Sequence, residues 1–363
     1  MGGWRVGLVI LCLYGTFAEA GGPVVPEGPA VAAPSVSWVR RVEGPLPGHL
    51  QNASPVKPRP LADIQFARLK PDAVVAIGLE PGAVSSADDL WVPQRAASAI
   101  VRIDAKSNKV DAPITVPAPP CASLSMEPAR PTSTNGSVWV PSCDGATLAQ
   151  VSVKHGNVSA SMPLPIATPS GSIATAVGSV WVLTNAKGVL SRIDPDAHTP
   201  VAEVYVAAKP SSVAAADDAL WITSEDGNVV TRVDPHTNAI IDTIKVGPRP
   251  GRVVVGEGAV WTLNRGDGSV SRIDAKSNKL VTTIAVGQSI ADGDIAVGAG
   301  SVWISAPGVP ITRLDPGTNR VVQRFSGDGG GAIVVAHGSL WVAAGPAITW
   351  RLDPTLVAAM RPE

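Results

Sequence analysis

The chain has 363 residues, 45% of them hydrophobic but only 4% aromatic, and its 29 Lys+Arg face 30 Asp+Glu for a formal net charge of −1. With no basic run longer than a pair, this balance leaves no electrostatic footprint for nucleic acid or for an anionic membrane surface. Val, Ala, Ile and Leu punctuated by 36 Gly and 34 Pro predict many short strands joined by turns.

The first twenty residues read as an export address. Arg5 supplies the positive end, Val6 to Phe17 an apolar stretch too short to span comfortably, and Ala18-Glu19-Ala20 the small-x-small cleavage pattern. The mature chain is expected to begin near Gly21, in the periplasm or outside the cell. Cys12 lies within the apolar stretch, and Ile10 and Leu11 before it are not the small residues that precede a lipidated cysteine. No later stretch is long and apolar enough for a membrane helix. Residues 21–63 are dense in proline and lack sustained periodicity, the composition of a flexible arm that cannot bury enough surface to fold alone; Trp38 is its one docking candidate.

The folded domain is expected over 64–363. There a tryptophan recurs as Trp91, Trp139, Trp181, Trp221, Trp261, Trp303 and Trp341, at spacings of 48, 42, 40, 40, 42 and 38. A period near forty that holds several short β patterns predicts an all-β, seven-bladed β-propeller of four-stranded antiparallel blades, because a lone sheet of this size is stable only when stacked on its neighbours. After Pro250, "GRVVVGEG", "AVWTLNRGDG", "SVSRIDAKSN" and "KLVTTIAVG" give the four strands of one copy. Its Trp lies mid-way along the second strand, where it fills the wedge between blades. "AVVAIGL" (Ala73 to Leu79) follows "ARLKPD" as fourth strands follow "SRID" elsewhere, so this N-terminal segment should complete the last blade; "TLVAAM" (Thr355 to Met360) is the alternative.

In the second blade, Cys121 opens the first strand and Cys143 follows the second, which brings both thiols to the open end of one hairpin in an oxidising compartment. A Cys121–Cys143 disulfide is expected. Asp104, Asp194, Asp234, Asp274, Asp315 and Asp353 each precede a turn, and Asn238 and Asn278 suit the left-handed residue that closes it. These aspartates read as structural.

The repeated "GSVWV…SRIDP.TN" phrase, over roughly Pro71 to Pro354, resembles the streptogramin lyase (virginiamycin B lyase-like) family and the extracytoplasmic propellers with Tyr-Val-Thr-Asn-type repeats. The resemblance implies the propeller fold and, for the lyases, a histidine, acidic residues and a magnesium ion in the loops over the central channel. Loops after second and fourth strands share one face, the top. His155, His198 and His236 follow third strands and His337 precedes its Trp, so all four belong to the bottom, and His49 falls in the arm. No metal-ligand spacing is present, no catalytic residue is assigned, and no cofactor is required; magnesium enters only with a lyase activity.

The top loops carry polar residues that differ from blade to blade. Arg249 and Arg252 flank Pro250 and Gly251 in one loop, Asn264 and Arg265 lie in the next, and Asp294 comes from the adjoining blade; three guanidiniums at one rim suit carboxylate or phosphate. Phe325 is the one aromatic expected near this face. Asp292 and Asp294 are too few carboxylates for calcium. Arg265-Gly266-Asp267 reads as ordinary loop chemistry, and Asn52, Asn135 and Asn157 begin Asn-x-Ser sequons. Three function classes follow: an exported binding or scaffold propeller with a polar top-face site for an acidic small molecule or peptide; a streptogramin-type carbon–oxygen lyase; and a protein-interaction ring that uses the Pro-rich arm.

Overall fold

A computed structural model describes residues 61–362 except 87, 129–135, 143, 145, 168–172, 217 and 287–292. The export address, Trp38, Cys143, Asn52, Asn135 and Asp292 lie outside the described residues. Seven antiparallel sheets follow one another along the chain, at 84–115, 125–163, 173–205, 210–245, 250–285, 294–326 and 333–352, here blades 1 to 7. In blade 5 the strands are Pro250–Gly256, Ala259–Asn264, Ser269–Asp274 and Lys279–Ala285, as the sequence pattern predicts.

The register of burial explains the repeat. Every residue of Ala259–Asn264 is buried, because a second strand has neighbours in its own sheet and in both adjacent blades, whereas Lys279–Ala285 on the rim is mostly exposed. All seven repeat tryptophans are at most 1% exposed. Each points toward the following blade: Trp261 packs with Ile295, Val302 and Ile304, and Trp341 crosses the closure to pack with Leu90 and Val92. The turn before the second strand in blades 3, 5, 6 and 7 needs a left-handed second residue and ends on glycine, at φ 67 for Gly178, 73 for Gly258, 69 for Gly300 and 68 for Gly338.

The arginine of "RID" has a role that the sequence does not declare. Its guanidinium lies over its own blade's Trp ring, 5.1 Å from the centroid for Arg272 and Trp261. In blades 3, 4 and 5 it then reaches into the third-to-fourth-strand turn of the next blade. Arg192 donates to Pro235 O and Asn238 Oδ1, Arg232 to Ala275 O and Asn278 Oδ1, and Arg272 to Pro316 O and Asn319 Oδ1. Arg351 carries the pattern across the closure to Asn108 Oδ1 at 2.9 Å and Ala105 O. Blade 2, which writes Gln150 for Arg, still reaches blade 3: Gln150 Oε1 lies 3.0 Å from His198 Nε2, and His198 occupies the left-handed turn position at φ 54.

The ring closes through the N-terminus. Ala73–Val75 pairs antiparallel with the last strand, Ala73 opposite Arg351 and Val75 opposite Thr349, so the predicted outer strand of blade 7 is present, though shorter than Ala73 to Leu79. Ile64–Gln65 adds a parallel fifth strand to blade 6 beside Phe325 and Ser326, a contact without precedent in the repeat. Phe66, next in the chain, stacks on Trp350 with centroids 4.6 Å apart. The segment from Thr355 is helical, as Pro354–Ala359, and Asp353 Oδ1 caps it by accepting the Thr355 N–H. Phe325 is fully buried in the blade 6 and 7 core with Ile64 and Phe66, and so does not present an aromatic surface on the top face.

Candidate functional site

First strands line the central channel, and two of them bring opposite charges together there. Arg252, in Pro250–Gly256, is 14% exposed, and its Nε sits 2.8 Å from Oδ1 of Asp294, which opens Asp294–Gly298 of blade 6 and is 4% exposed. Nη2 of Arg252 donates to Ala122 O at 2.9 Å. Ala122 precedes blade 2, three blades from blade 5 in a ring of seven, so this hydrogen bond crosses the channel. The approach is tight: a Cβ on Gly82, at φ +88, would lie 2.3 Å from Ala122 O.

Asp294 joins three blades. Its Oδ1 also accepts the Ile295 N–H at 3.0 Å, and its Oδ2 accepts the N–H of Ile333, the first residue of blade 7's inner strand, at 3.2 Å. Burial pushes its carboxyl above the ordinary value, against the pull of Arg252, the two N–H groups and the charge of Arg265. The cavity beside this pair is about 280 Å³ and is otherwise walled by apolar residues such as Val253, Ile295 and Val335. Among the described residues, Nη1 of Arg252 has no hydrogen-bond partner, and Arg252 lines the cavity.

Arg265 lies beside this pair, in the loop after blade 5's second strand. Its Nη1 is 3.8 Å from Glu225 Oε1 of blade 4, and its stem runs over Gly251, where a Cβ would meet Nε at 2.5 Å. Gly251 therefore leaves room for Arg265 at the rim. The Arg265 N–H donates to Arg249 O at 3.0 Å, and the Arg249 N–H to Asn228 Oδ1 at 2.8 Å, so Arg249 contributes backbone scaffolding while its side chain is exposed. Asn264 turns into the blade, fully buried, with Nδ2 donating to Ser269 Oγ and Ser271 Oγ, both at 2.9 Å. The five predicted residues thus divide: Arg252 and Asp294 in direct contact, Arg265 beside them, Arg249 outward and Asn264 beneath. Glu225, Gly251 and Ala122 O belong to the same constellation, and the Gly between Pro250 and Arg252 is the one sequence signal that could have marked the close approach.

Two further pairs of top-face charges meet across neighbouring loops, Lys209 with Asp226 at 3.0 Å and Arg95 with Asp144 at 3.1 Å. Asp267 Oδ1 accepts from Ser269 N and Oγ within its own turn. The four described histidines lie in bottom-face turns, between third and fourth strands for His155, His198 and His236 and before the second strand for His337. Among the described residues no three His, Cys, Asp or Glu side chains gather as a metal site. Glu225, Asp226, Asp144 and Asp294 all face Arg or Lys, so these residues do not fit the magnesium that the lyase resemblance implies. Cys121 is 1% exposed and disulfide-bonded, and its N–H donates to Pro141 O at 2.7 Å. No helix among the described residues is long and apolar enough to cross a membrane.

No protein-family model and no curated protein sequence matches the chain. Solved structures do. Virginiamycin B lyase from Staphylococcus aureus superposes with a TM-score of 0.63 at 19% identity, over 77% of this chain and 98% of that one. A streptogramin B lyase structure gives the same score and identity over 76% and 94%. BamB from Moraxella catarrhalis follows at 0.55 and 12%, over 76% and 84%. At these identities the likeness is one of fold: the chain is a seven-bladed propeller built like the streptogramin B lyases.

Proposed function

We propose that the protein is an exported binding propeller that takes the carboxylate of a small acidic molecule or acidic peptide over the top of its channel. The observation that carries this reading is Arg252, a mostly buried guanidinium lining the cavity, with Nη1 without a partner among the described residues and Arg265 on the rim beside it. A guanidinium already oriented by Asp294 loses little entropy on binding, and an anion there gains charge-assisted hydrogen bonds.

Calorimetric titration with succinate, against neutral succinamide, tests the proposal. Arg265→Ala is expected to weaken succinate at least tenfold, the worth of one hydrogen bond to a charged group. His236→Ala, on the bottom face, should leave the affinity unchanged. Succinate affinity indifferent to Arg265→Ala would sink the reading. The lyase reading rests on likeness of fold, and a streptogramin-cleavage assay with and without magnesium separates it from pure binding. Affinity capture with and without residues 21–63 addresses an interaction ring, and N-terminal sequencing of the exported chain checks cleavage after Ala20.

A further inference from the structure

The bottom face carries a second cleft, between blades 4 and 5, of about 700 Å³. It forms where the repeat is broken twice. Blades 3, 6 and 7 place a serine two residues before the Trp, and its Oγ accepts from the repeated arginine's Nε: Ser179 from Arg192 at 2.9 Å, Ser301 from Arg313 and Ser339 from Arg351 at 2.8 Å. Blade 4 has Ala219 there, and Arg232 Nε is buried without a partner. In the turn before the second strand, blade 4 writes Asp217-Asp218 where blades 3, 5, 6 and 7 end on glycine.

The second break removes another acceptor. Trp181, Trp261, Trp303 and Trp341 each donate the indole N–H to the carbonyl five residues earlier; Trp91 donates to Ser86 Oγ and Trp139 to Glu127 Oε2. Trp221 is 1% exposed, and its indole makes no hydrogen bond among the described residues. Blade 4 is therefore the one blade in which both the tryptophan and the arginine lack their usual acceptors, and both side chains line the cleft.

We propose that this cleft binds a small carboxylate with a short apolar body. Nη1 of Arg232 is committed to Ala275 O and Asn278 Oδ1, which leaves the Nε and Nη2 edge, the edge that grips a carboxylate with two parallel hydrogen bonds, without an acceptor. A buried donor without an acceptor is rare and costly, and Arg232 Nε on the same wall as the Trp221 indole N–H, which has no partner among the described residues, points to an acceptor that arrives from outside. Ala216, Ala219 and Val255 offer an apolar wall for the rest of the ligand, and Lys276 adds positive charge. Asp274 also lines the cleft, but its Oδ1 is taken by the Lys276 and Ser277 N–H groups and the Ser277 hydroxyl. The site is independent of the top face.

The test follows the Trp221 indole resonance by NMR in 15N-Trp-labelled protein, identified by its loss in Trp221→Phe and by triple-resonance assignment of the unaltered chain. Butyrate is the probe, with 1-butanol sharing the body and inorganic phosphate the charge. Butyrate is expected to shift this resonance saturably while that of Trp261 stays still, and butanol and phosphate to bind at least fivefold more weakly. Ala219→Ser restores the acceptor that blades 3, 6 and 7 have and should weaken butyrate about fivefold, the worth of one hydrogen bond. Absence of a saturable shift, an equal response to butanol or phosphate, or undiminished affinity in Ala219→Ser would overturn the proposal.

Discussion

The residue two places before each blade tryptophan decides whether the repeated arginine is fully hydrogen-bonded. Blade 5 has Ala259 there, and Arg272 Nε is buried without an acceptor, as Arg232 Nε is in blade 4. Ala259→Ser is expected to stabilise the ring by about 1 kcal/mol, seen as a higher denaturant midpoint at unchanged slope. The two top-face arginines should part company in the same measurement. Arg252→Ala strands the buried Asp294 carboxylate, which costs about 3–5 kcal/mol where one partner of a buried pair is removed, whereas Arg265→Ala leaves no such stranded buried charge at Glu225, one-quarter exposed, and should cost less. A rim of solvated arginines would predict no such difference. Arg252 could not be read as buried because its partners, Asp294 and Ala122 O, are set by closure of the ring and not by neighbours in the chain. The repeated arginines were opaque for the same reason: Arg192, Arg232 and Arg272 each meet a turn 43 to 47 residues downstream.

Turns behave differently, since their chemistry is local and was legible. The carboxylates of Asp104, Asp234, Asp274 and Asp315 are held below the usual range chiefly by backbone N–H donors of their turns, and that of Asp353 first by the Thr355 hydroxyl. A carboxylate depressed in the folded state contributes stability above its unfolded value, and the contribution is lost as pH falls through the folded one. Asp294 is raised, so it works in the opposite direction and favours the folded state where it is protonated. With Asp88 also lowered, chiefly by Lys106, and Glu80 also raised by burial, six stand against two, and the ring should lose stability as pH drops below about 4, the ordinary aspartate range. Replacing Asp234 and Asp274 with Asn should flatten that acid limb in denaturant titrations; an unchanged limb would mean that the turns are not responsible. The helix at Pro354 shows where local reading stops. "DPTLV" starts like "DPHTN", but Val357 stands where Asn238 reverses the chain, so the backbone continues into a helix. Cys121 at blade 2's hairpin end is disulfide-bonded, and Cys143, its expected partner, lies outside the described residues; non-reducing peptide mapping tests the pairing and should recover the two joined.

Closure belongs to the whole molecule, and the repeat period made it legible: seven tryptophans with three strands left for the last blade require a fourth from elsewhere. What the period could not show is that the N-terminal segment serves two blades. Ile64, Phe66 and Leu69, each at most 6% exposed, cover blade 6 and the Trp350 ring, and Asp63 lies 3.6 Å from Arg324; Val75 and Leu79 belong to the seam between blades 7 and 1. Chains that begin at Leu61, Pro71 and Pro81 separate the two roles. Beginning at Pro71 removes an apolar cover, worth roughly 1.5–3 kcal/mol for each large buried side chain, yet leaves every blade with four strands. Its midpoint should fall while unfolding stays a single transition. Beginning at Pro81 takes the outer strand from blade 7 and leaves Ile348–Leu352 as an open edge. That chain should lose the single transition and self-associate in size-exclusion chromatography. If the Pro71 and Pro81 chains unfold alike, Ala73–Val75 is not what holds the ring shut, and the helix at Pro354–Ala359, whose carbonyls receive the Gln323 amide, becomes the element to cut next.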